Sequence, residues 1–459
     1  MSKTMVFSAF LKCFTVLFLL SNVSSATEKY DLRADFSTQT QQRISTNFEH
    51  KGDVVVIAED EENPIKFLPY AFSAKSNYYQ RMTGTTQAIR YFDKASGKIR
   101  LGGGKTAPSL GESNRYVIAR LKKEQGYRVE MASITDMLSP AELEIVDQPA
   151  DPLTISKLLF KKSVQEGQSW KPDNLALAKF LGVREVKKSS VKLTAKKMNA
   201  NSARVYISGT VDADVYDVES FMKISGLFVV DRKQNVLTTM KLTIEENRKP
   251  GQIEPGFEGK VSMDMRITSE ASSAKLSDES LAKISSQNKI KQRIKLESQA
   301  IGYRLQFDPR WKVIASDEEA ALLRLMDRGQ LLAQCNFVIL PQRSRNQLIS
   351  LEDYKQQVQR IAESDDNAEM KTANSRVSPT GNRVSQVVVR GIEQGLPIQW
   401  IYYHIGNSDG RQLTLVFTMD AEVADRVAGF ANRIVDEFDF IQPKKKIAAK
   451  PNTNSRQTR

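Results

Sequence analysis

Alternating apolar and polar residues run through the first half of the chain. Residues 191–195 alternate in this way, which places the two kinds of side chain on opposite faces of a strand. Residues 226–231 and 236–244 flank the polar turn 232–235, which predicts a β-hairpin. The pattern therefore predicts a β-rich antiparallel unit that is either a curved sheet or a partial barrel.

Two helical patterns interrupt this β-rich stretch. One covers residues 139–146 and the other covers residues 173–181. Asp173 is suited to cap the first turn of the second helix, and Gly182 is suited to end it. We therefore expect few helices beside the strands.

Strands and helices alternate in the last third of the chain. A helix is predicted after Ser350, because Ser350 and Asp353 form a pattern like a capping box. A final helix carries an apolar stripe that includes Val427 and Ile434, and Asp420 is its expected cap. Strands are predicted at residues 303–307, 320–325, 331–340, 384–392, 398–405 and 412–419. This pattern predicts an antiparallel sheet covered by helices, so the whole chain is expected to be a two-domain α+β protein.

Composition divides the chain into five predicted segments. They are a signal peptide (1–26), a β-rich domain (27–268, as one domain or as two halves that meet near residue 150), a polar linker that can form a helix (269–300), an α+β domain (301–441) and a disordered basic tail (442–459).

The first segment predicts export. Lys3 and Lys12 precede an apolar run that ends at Leu20, and small residues lead to the expected cleavage after Ala26. The run is shorter than the roughly 20 residues that span a bilayer. We therefore expect a secreted or periplasmic protein with no transmembrane segment in its mature chain.

The chain is basic, with a formal net charge of +13. A positive surface attracts acidic partners, and envelope lipids, polysaccharides and nucleic acids all fit this property. Lys192 and Lys196 belong to a cluster of basic residues near the strand at 191–195. We expect an exposed sheet face there, with an anionic partner as the alternative. Cys335 lies in an apolar run and is predicted to be buried.

No motif indicates a nucleotide site. Residues 102–106 read GGGKT, but a phosphate-binding loop also needs glycine where the chain has Ile99. Pro108 opposes the helix that would have to begin at Lys105. A flexible turn is therefore predicted.

No motif indicates a metal or cofactor site either. His50 is expected in an exposed loop, and neither His50 nor His404 belongs to an H-E-x-x-H pattern. The acidic residues at 59–62 precede a turn. Those at 212–217 lack the glycine and the distal glutamate of a calcium loop. We expect both acidic groups to be solvated, and no cofactor.

Segment 301–441 resembles a known fold. The residues that carry the resemblance are 303–311 (YRLQFDPRW), 350–354 (SLEDY), 395–403 (GLPIQWIYY) and 413–417 (LTLVF). They are similar to the fold shared by PsbP, a photosystem extrinsic subunit, the Mog-type Ran-binding proteins and many bacterial envelope proteins. The resemblance implies a non-catalytic adaptor or binding role. The β-rich part has a fainter similarity, in strand pattern alone, to curved-sheet lipoprotein carriers of the LolA kind.

Trp400, Tyr402 and His404 alternate along one predicted strand and therefore share a face. We expect them to form an exposed interaction surface on a non-catalytic binding or scaffolding protein of the cell envelope. The expected partner is a protein or an anionic envelope component.

Two other functions remain open. A carrier would hold an apolar ligand or lipid in the N-terminal β domain, which requires a continuous apolar cavity. A hydrolase would assemble its site near His404, which requires a carboxylate and a serine or threonine to converge on the ring.

Overall fold

The computed structural model describes residues 30–32, 41–57, 65–122, 129–159, 161–216, 218–251, 254–270, 273–287, 293–327, 330–363 and 368–443. The predicted signal peptide, the acidic residues 59–62 and residues 444–459 of the predicted basic tail lie outside this part of the chain. No helix in the described ranges has both the length and the apolar character needed to cross a membrane.

The N-terminal unit is built almost entirely from antiparallel strands. In chain order its elements are β1 (Tyr30–Leu32), β2 (Gln41–Ile57), β3 (Ile65–Gly84), β4 (Gln87–Leu101), β5 (Gly104–Thr106), β6 (Tyr116–Leu121), β7 (Val129–Ser133), α1 (Pro140–Val146), α2 (Pro152–Leu159), β8 (Lys161–Val164), β9 (Ser169–Trp170), α3 (Asn174–Leu181), β10 (Glu185–Ser189), β11 (Lys192–Met198), β12 (Ser202–Val215), β13 (Val218–Asp231), β14 (Val236–Arg248) and β15 (Gly256–Glu270).

Thirteen of these strands form one open sheet. Its order is β7-β6-β4-β3-β2-β15-β14-β13-β12-β11-β9, while β5 pairs with β4 and β10 pairs with β12. Strands β1 and β8 form a separate two-stranded sheet. The sheet is therefore open rather than a closed barrel, because the two ends of the strand order do not pair with each other.

The two faces of the large sheet differ as the alternation predicts. On β11, Leu193 and Ala195 are fully buried, whereas Lys192 and Lys196 are exposed. We call the buried side, which packs against α1, α2 and α3, the core face, and the opposite side the outer face. The side-chain period of two in a strand produces this division.

Two paired glycines allow neighbouring strands to approach closely. Gly52 on β2 lies opposite Gly259 on β15. A Cβ atom at either position would overlap the backbone of the other strand. Side chains are therefore excluded at this crossing, which explains why glycine occurs on both strands.

Local sequence signals explain the short helices. Ser139 and Glu142 form a complete capping box at the start of α1. The Asp173 side chain accepts hydrogen bonds from two backbone N–H groups of α3, and Gly182 ends α3 in the left-handed conformation. Both helices agree with the pattern prediction, whereas α2 was not predicted.

The second unit alternates strands with two amphipathic helices. Its elements, with the segment before it, are α4 (Asp278–Gln287), β16 (Ile294–Ser298), β17 (Tyr303–Phe307), β18 (Trp311–Ser316), β19 (Ala320–Asp327), β20 (Gln330–Leu340), α5 (Leu351–Ala362), β21 (Glu369–Val377), β22 (Arg383–Glu393), β23 (Leu396–Gly406), β24 (Gln412–Asp420) and α6 (Ala424–Glu437).

Seven strands of this unit form a second antiparallel sheet in the order β18-β19-β20-β24-β23-β22-β21. Helix α6 buries Val427 and Ile434 in the core on one face. Helix α5 buries Tyr354 and Val358 in a smaller cluster on the other face. Asp420 caps a short 3₁₀ turn, Ala421–Val423, that leads into α6. An antiparallel sheet covered by helices is the arrangement that the pattern predicts.

The segment between the two sheets has more structure than a polar linker. Leu281 and Ile284 of α4 pack against a cluster on β4 and β6. Ile294 and Leu296 lie on β16, which pairs with β17, so the helix predicted to extend through them is wrong there. Their spacing of two residues suits a strand better than a helix. The predicted boundaries of the β-rich domain, the linker and the α+β domain, at residues 268 and 301, remain predictions.

The two units are in contact through β16 and α1. Ile294 forms an isolated bridge with Leu138, and the backbone N–H of Lys295 donates to the Leu138 carbonyl at 3.0 Å. The Lys295 ammonium also pairs with Asp136 at 2.5 Å. Leu143 of α1 packs against both main cores. The two-domain description therefore holds only in part.

Candidate functional site

The predicted interaction residues lie beneath helix α5. Trp400 and Tyr402 are half-buried and pack against the cluster that contains Tyr354 and Val358. His404 is only 4% exposed. Strand β23 lies between β22 and β24, so these residues are not at a sheet edge. The expected exposed surface is wrong for His404, because α5 covers this face to bury its own apolar side.

His404 is held as a neutral ring. Its Nε2 lies 3.0 Å from Oε1 of Gln412, and its ring centroid is 5.5 Å from that of Tyr354. Burial lowers the pKa of His404, the Gln412 hydrogen bond opposes this shift, and Arg343 and Arg383 add to it. A buried imidazole near two guanidinium groups favours the uncharged form.

The hydrolase arrangement is present only in part. Ser385 on β22 and Thr414 on β24 lie directly opposite His404 on the two neighbouring strands. The Ser385 hydroxyl is buried and makes no hydrogen bond in the described part of the chain. The ring nitrogen interacts with the Gln412 amide, which lacks the negative charge with which a carboxylate stabilises a protonated catalytic histidine.

The remaining sequence candidates have structural roles or lie apart. Lys105 is on strand β5 after the turn at residues 102–103, so no helix begins there. His50 is on β2 rather than in the expected loop, and its ring centroid lies 4.2 Å from that of Phe257. The expected solvated position is wrong for Asp214, which is buried beside Arg184, whereas Asp217 lies outside the described residues.

Two further observations concern metal and thiol chemistry. No group of three or more His, Cys, Asp or Glu side chains in the described ranges could hold a metal ion. Cys335 is fully buried, and burial raises the pKa of its thiol. The structure therefore places Cys335 in the core, as predicted.

A buried ion pair joins the core face of the large sheet to helix α2. Arg90 of β4 donates to both carboxylate oxygens of Asp151, at 2.7 and 2.8 Å, and to the Gln80 amide oxygen at 2.9 Å. Arg90 is 1% exposed, and its guanidinium lies 5.2 Å from the Tyr78 ring. The Asp151 carboxylate also accepts from the backbone N–H of Leu153 at 2.9 Å. This pair attaches the start of α2 to the sheet.

A cavity of about 20 Å³ lies beside this ion pair. Thr46, Ser76 and Gln148 are among the residues that line it. This volume suits a single water molecule. The carrier alternative requires a continuous apolar cavity in the N-terminal domain, and a cavity of this volume is too small for a lipid chain.

A larger concavity lies on the outer face of the large sheet. Its volume is about 570 Å³, and its lining residues lie on three adjacent strands of the sheet, β2, β15 and β14. Its lining residues are Ser45, Asn47, Thr239, Lys241, Asp264, Met265 and Arg266. We call it the outer concavity.

Residues that lie directly opposite one another on adjacent strands form rows across the sheet, and two of these rows include residues that line the outer concavity. The first row runs from β11 to β3 and the second from β12 to β3, and we call them together the basic rows. In the first row the residues are Lys196, Arg204, Val229, Thr239, Arg266, Ser45 and Asn77. In the second they are Tyr206, Leu227, Lys241, Asp264, Asn47 and Lys75.

The basic rows carry five basic side chains and one acidic side chain, all of them exposed. Asp264 lies 3.7 Å from Lys241. Arg204 and Arg266 have no carboxylate partner among the residues that the structure describes. Lys196 lies directly opposite Arg204, and its ammonium is 5.4 Å from the Tyr206 ring centroid. This part of the outer face therefore has an excess of positive charge.

The alternation on β11 indicated one end of this surface. Sequence reasoning placed Lys192 and Lys196 on a solvated face, and it missed the outer concavity. Ser45 and Arg266 meet only because β2 pairs with β15. No local signal predicts which of thirteen strands are neighbours.

Comparison with known proteins was made at three levels. No family model matches the chain, and no curated protein matches it. Among solved structures, the PsbP protein of the cyanobacterium Synechocystis sp. PCC 6803 aligns with 32% of this chain and 92% of its own length, at 15% identity and a TM-score of 0.27.

Two other solved structures align at a similar level. A Pseudomonas aeruginosa protein of unknown function, described as a putative regulator, covers 32% of this chain and 95% of its own length, at 10% identity and a TM-score of 0.20. Lipovitellin covers 53% of this chain and 27% of its own length, at 10% identity and a TM-score of 0.29. Scores this low fit a distant PsbP-like fold at most and support no argument about function.

Proposed function

We propose that this chain is an exported, non-catalytic binding protein of the cell envelope, and that it binds a polar partner at the outer concavity. The observation that carries the proposal is the concavity itself, about 570 Å³ in volume and lined by side chains of three hydrogen-bonded strands. A concave site with several convergent polar groups is the usual form of a binding site.

The strands around the outer concavity support a preorganised site. The pairings of β14 with β15 and of β15 with β2 continue without a register shift from Thr239 to Arg248 and from Gln41 to Val55. The backbone positions of the lining residues are therefore fixed before a ligand binds, which reduces the entropy lost on binding. Export is the remaining element of the proposal, and it rests on the predicted signal peptide at residues 1–26.

A non-catalytic role is consistent with the residue types in this site. The side chains that face it are hydroxyl, amide and charged groups, because the Met265 side chain is buried on the core face. Lys241 and Asp264 form an exposed ion pair, as on many solvated sheet faces. We therefore assign the site to recognition rather than to chemistry.

The test is a binding screen with two matched variants. Thr239→Trp places a large ring in the outer concavity, whereas Thr243→Trp makes the same change four residues further along the same strand and on the same face. Purified protein from the exported fraction is screened against envelope polysaccharides, peptidoglycan fragments, lipid vesicles and envelope proteins. We expect at least one partner whose binding Thr239→Trp removes and Thr243→Trp preserves. If no partner distinguishes the two variants, the site does not have this function.

A further inference from the structure

We infer that the ligand of the outer concavity is an acidic polysaccharide that lies along the basic rows. This inference rests on the proposed function and adds the chemical class of the ligand. The rows contain five basic side chains and one acidic side chain, Asp264, which pairs with Lys241. Four basic side chains therefore have no acidic partner within the rows. Arg204 and Arg266 remain to bind carboxylate or sulfate groups, which arginine can hold through two parallel hydrogen bonds.

One pair of basic residues argues for an anion in particular. Lys196 and Arg204 face each other directly across β11 and β12. Like charges in this position repel and destabilise a sheet. The Lys196 ammonium lies 5.4 Å from the Tyr206 ring centroid, which relieves part of this repulsion, and a bound anion would relieve more of it than a neutral ligand.

Neutral polar groups separate the charges along the rows. Asn47, Thr239 and the amide NH2 of Asn77 offer hydroxyl and amide groups between the basic side chains, whereas the Ser45 hydroxyl donates to the Asn77 amide oxygen. Such groups both donate and accept hydrogen bonds, as the hydroxyl groups of a sugar require. Tyr206 is 38% exposed at the end of the second row, where the apolar face of a sugar ring could stack on it.

The shape of the basic rows suits a linear polymer. The first row crosses seven adjacent strands, which at the usual strand spacing is a distance of about 29 Å. This length accommodates several consecutive sugar units.

Other anionic polymers fit the rows less well. A single-stranded nucleic acid gains most of its non-electrostatic affinity by stacking successive bases on aromatic rings, and the rows contain one such ring, Tyr206. A lipid surface would favour exposed apolar side chains, but Val229 and Leu227 are half-buried in the rows. An acidic polysaccharide therefore matches three properties of the basic rows: their positive charge, their neutral polar groups and their single aromatic ring, Tyr206.

The experiment measures binding of polygalacturonate, of neutral dextran of matched length, and of single-stranded DNA. Arg266→Gln removes one charge from the rows. Lys260→Gln removes one charge from the same strand and face outside them. We expect polygalacturonate to bind more strongly than dextran or DNA. Arg266→Gln should weaken this binding about fivefold at low salt, and Lys260→Gln should change it much less.

The outcomes separate this inference from the proposed function. Binding of dextran as strong as that of polygalacturonate, lost in Thr239→Trp, would overturn the acidic class but keep the site. Stronger binding of DNA than of polygalacturonate would also overturn it. If Thr239→Trp affects no ligand in this set or in the wider screen, the proposed function fails with it.

Discussion

At the scale of single residues, the buried ion pair between Arg90 and Asp151 gives a quantitative prediction of stability. Asp151 is 6% exposed and neutralises Arg90, which is 1% exposed. Removing one partner of such a pair leaves an uncompensated charge in the core. We expect Asp151→Ala to lower the free energy of unfolding by about 3–5 kcal/mol, measured by urea denaturation.

A surface pair is the control for this prediction. Glu49 and Lys51 pair at 2.7 Å, and both side chains are more than half exposed. Glu49→Ala should change stability by less than about 1 kcal/mol. Equal losses for Asp151→Ala and Glu49→Ala would contradict the role that we assign to the buried pair.

His404 makes stability depend on pH. Burial lowers the pKa of His404 in the folded protein, so the unfolded chain binds more protons than the folded chain below the ordinary histidine pKa of about 6.5. The stabilising contribution of the neutral ring is therefore complete above pH 6.5 and is lost as the pH falls from there towards the folded pKa. We expect urea denaturation at several pH values to show a steeper loss of stability below pH 6.5 in the wild type than in His404→Gln.

His50 provides the internal control. It is the other histidine of the chain and is present in both proteins, so its titration cancels in the comparison. Identical slopes for the wild type and His404→Gln would show that His404 titrates normally. A lower overall stability of His404→Gln would not affect this test, which depends on the slope alone.

At the scale of elements, helix α5 depends on its first turn. The Ser350 side chain accepts a hydrogen bond from the backbone N–H of Asp353 at 3.1 Å. We expect Ser350→Ala to lower the free energy of unfolding by about 1 kcal/mol and to speed amide hydrogen exchange in α5. Ser316→Ala on the exposed end of β18 should change neither, and equal effects of the two variants would contradict the prediction.

Helix ends and hairpins were more predictable than the full set of strands. Asp173 and Ser350 were identifiable because a cap depends on residues within one turn. Strands β18 and β21 were not predicted. In β21 the half-buried positions Met370, Ala373 and Arg376 recur every three residues rather than every two, and the pairing of this edge strand with β22 shifts register between Met370 and Thr372. Periodicity is weak where packing is one-sided.

At the scale of the whole molecule, the core face and outer face of one sheet have different uses. The core face is filled by α1, α2 and α3, and its polar cavity of about 20 Å³ lies beside Arg90 and Asp151. The outer face keeps a concavity of about 570 Å³. A carrier would use the first face, whereas the binding protein that we propose uses the second.

Contacts between the units also belong to this scale. The segment 269–300 has the composition of a linker, yet its strand β16 pairs with β17 and bridges to Leu138. Ile294 becomes a core residue only because α1 and β17 lie beside it. Composition alone could not show this, because the apolar residues in the segment are few and their partners are remote in sequence.

The sequence by itself determined the α+β class, the helix caps and the buried and solvated faces of strands such as β11. Each of these depends on residues that are close in the chain, through hydrogen bonds of one turn or the alternation of a single strand. Tertiary structure alone decided that α5 covers His404, that Arg90 meets Asp151, and that Ser45 and Arg266 lie side by side. These contacts join residues that are remote in sequence, and strand order and register are set by packing of the whole sheet rather than by any local preference.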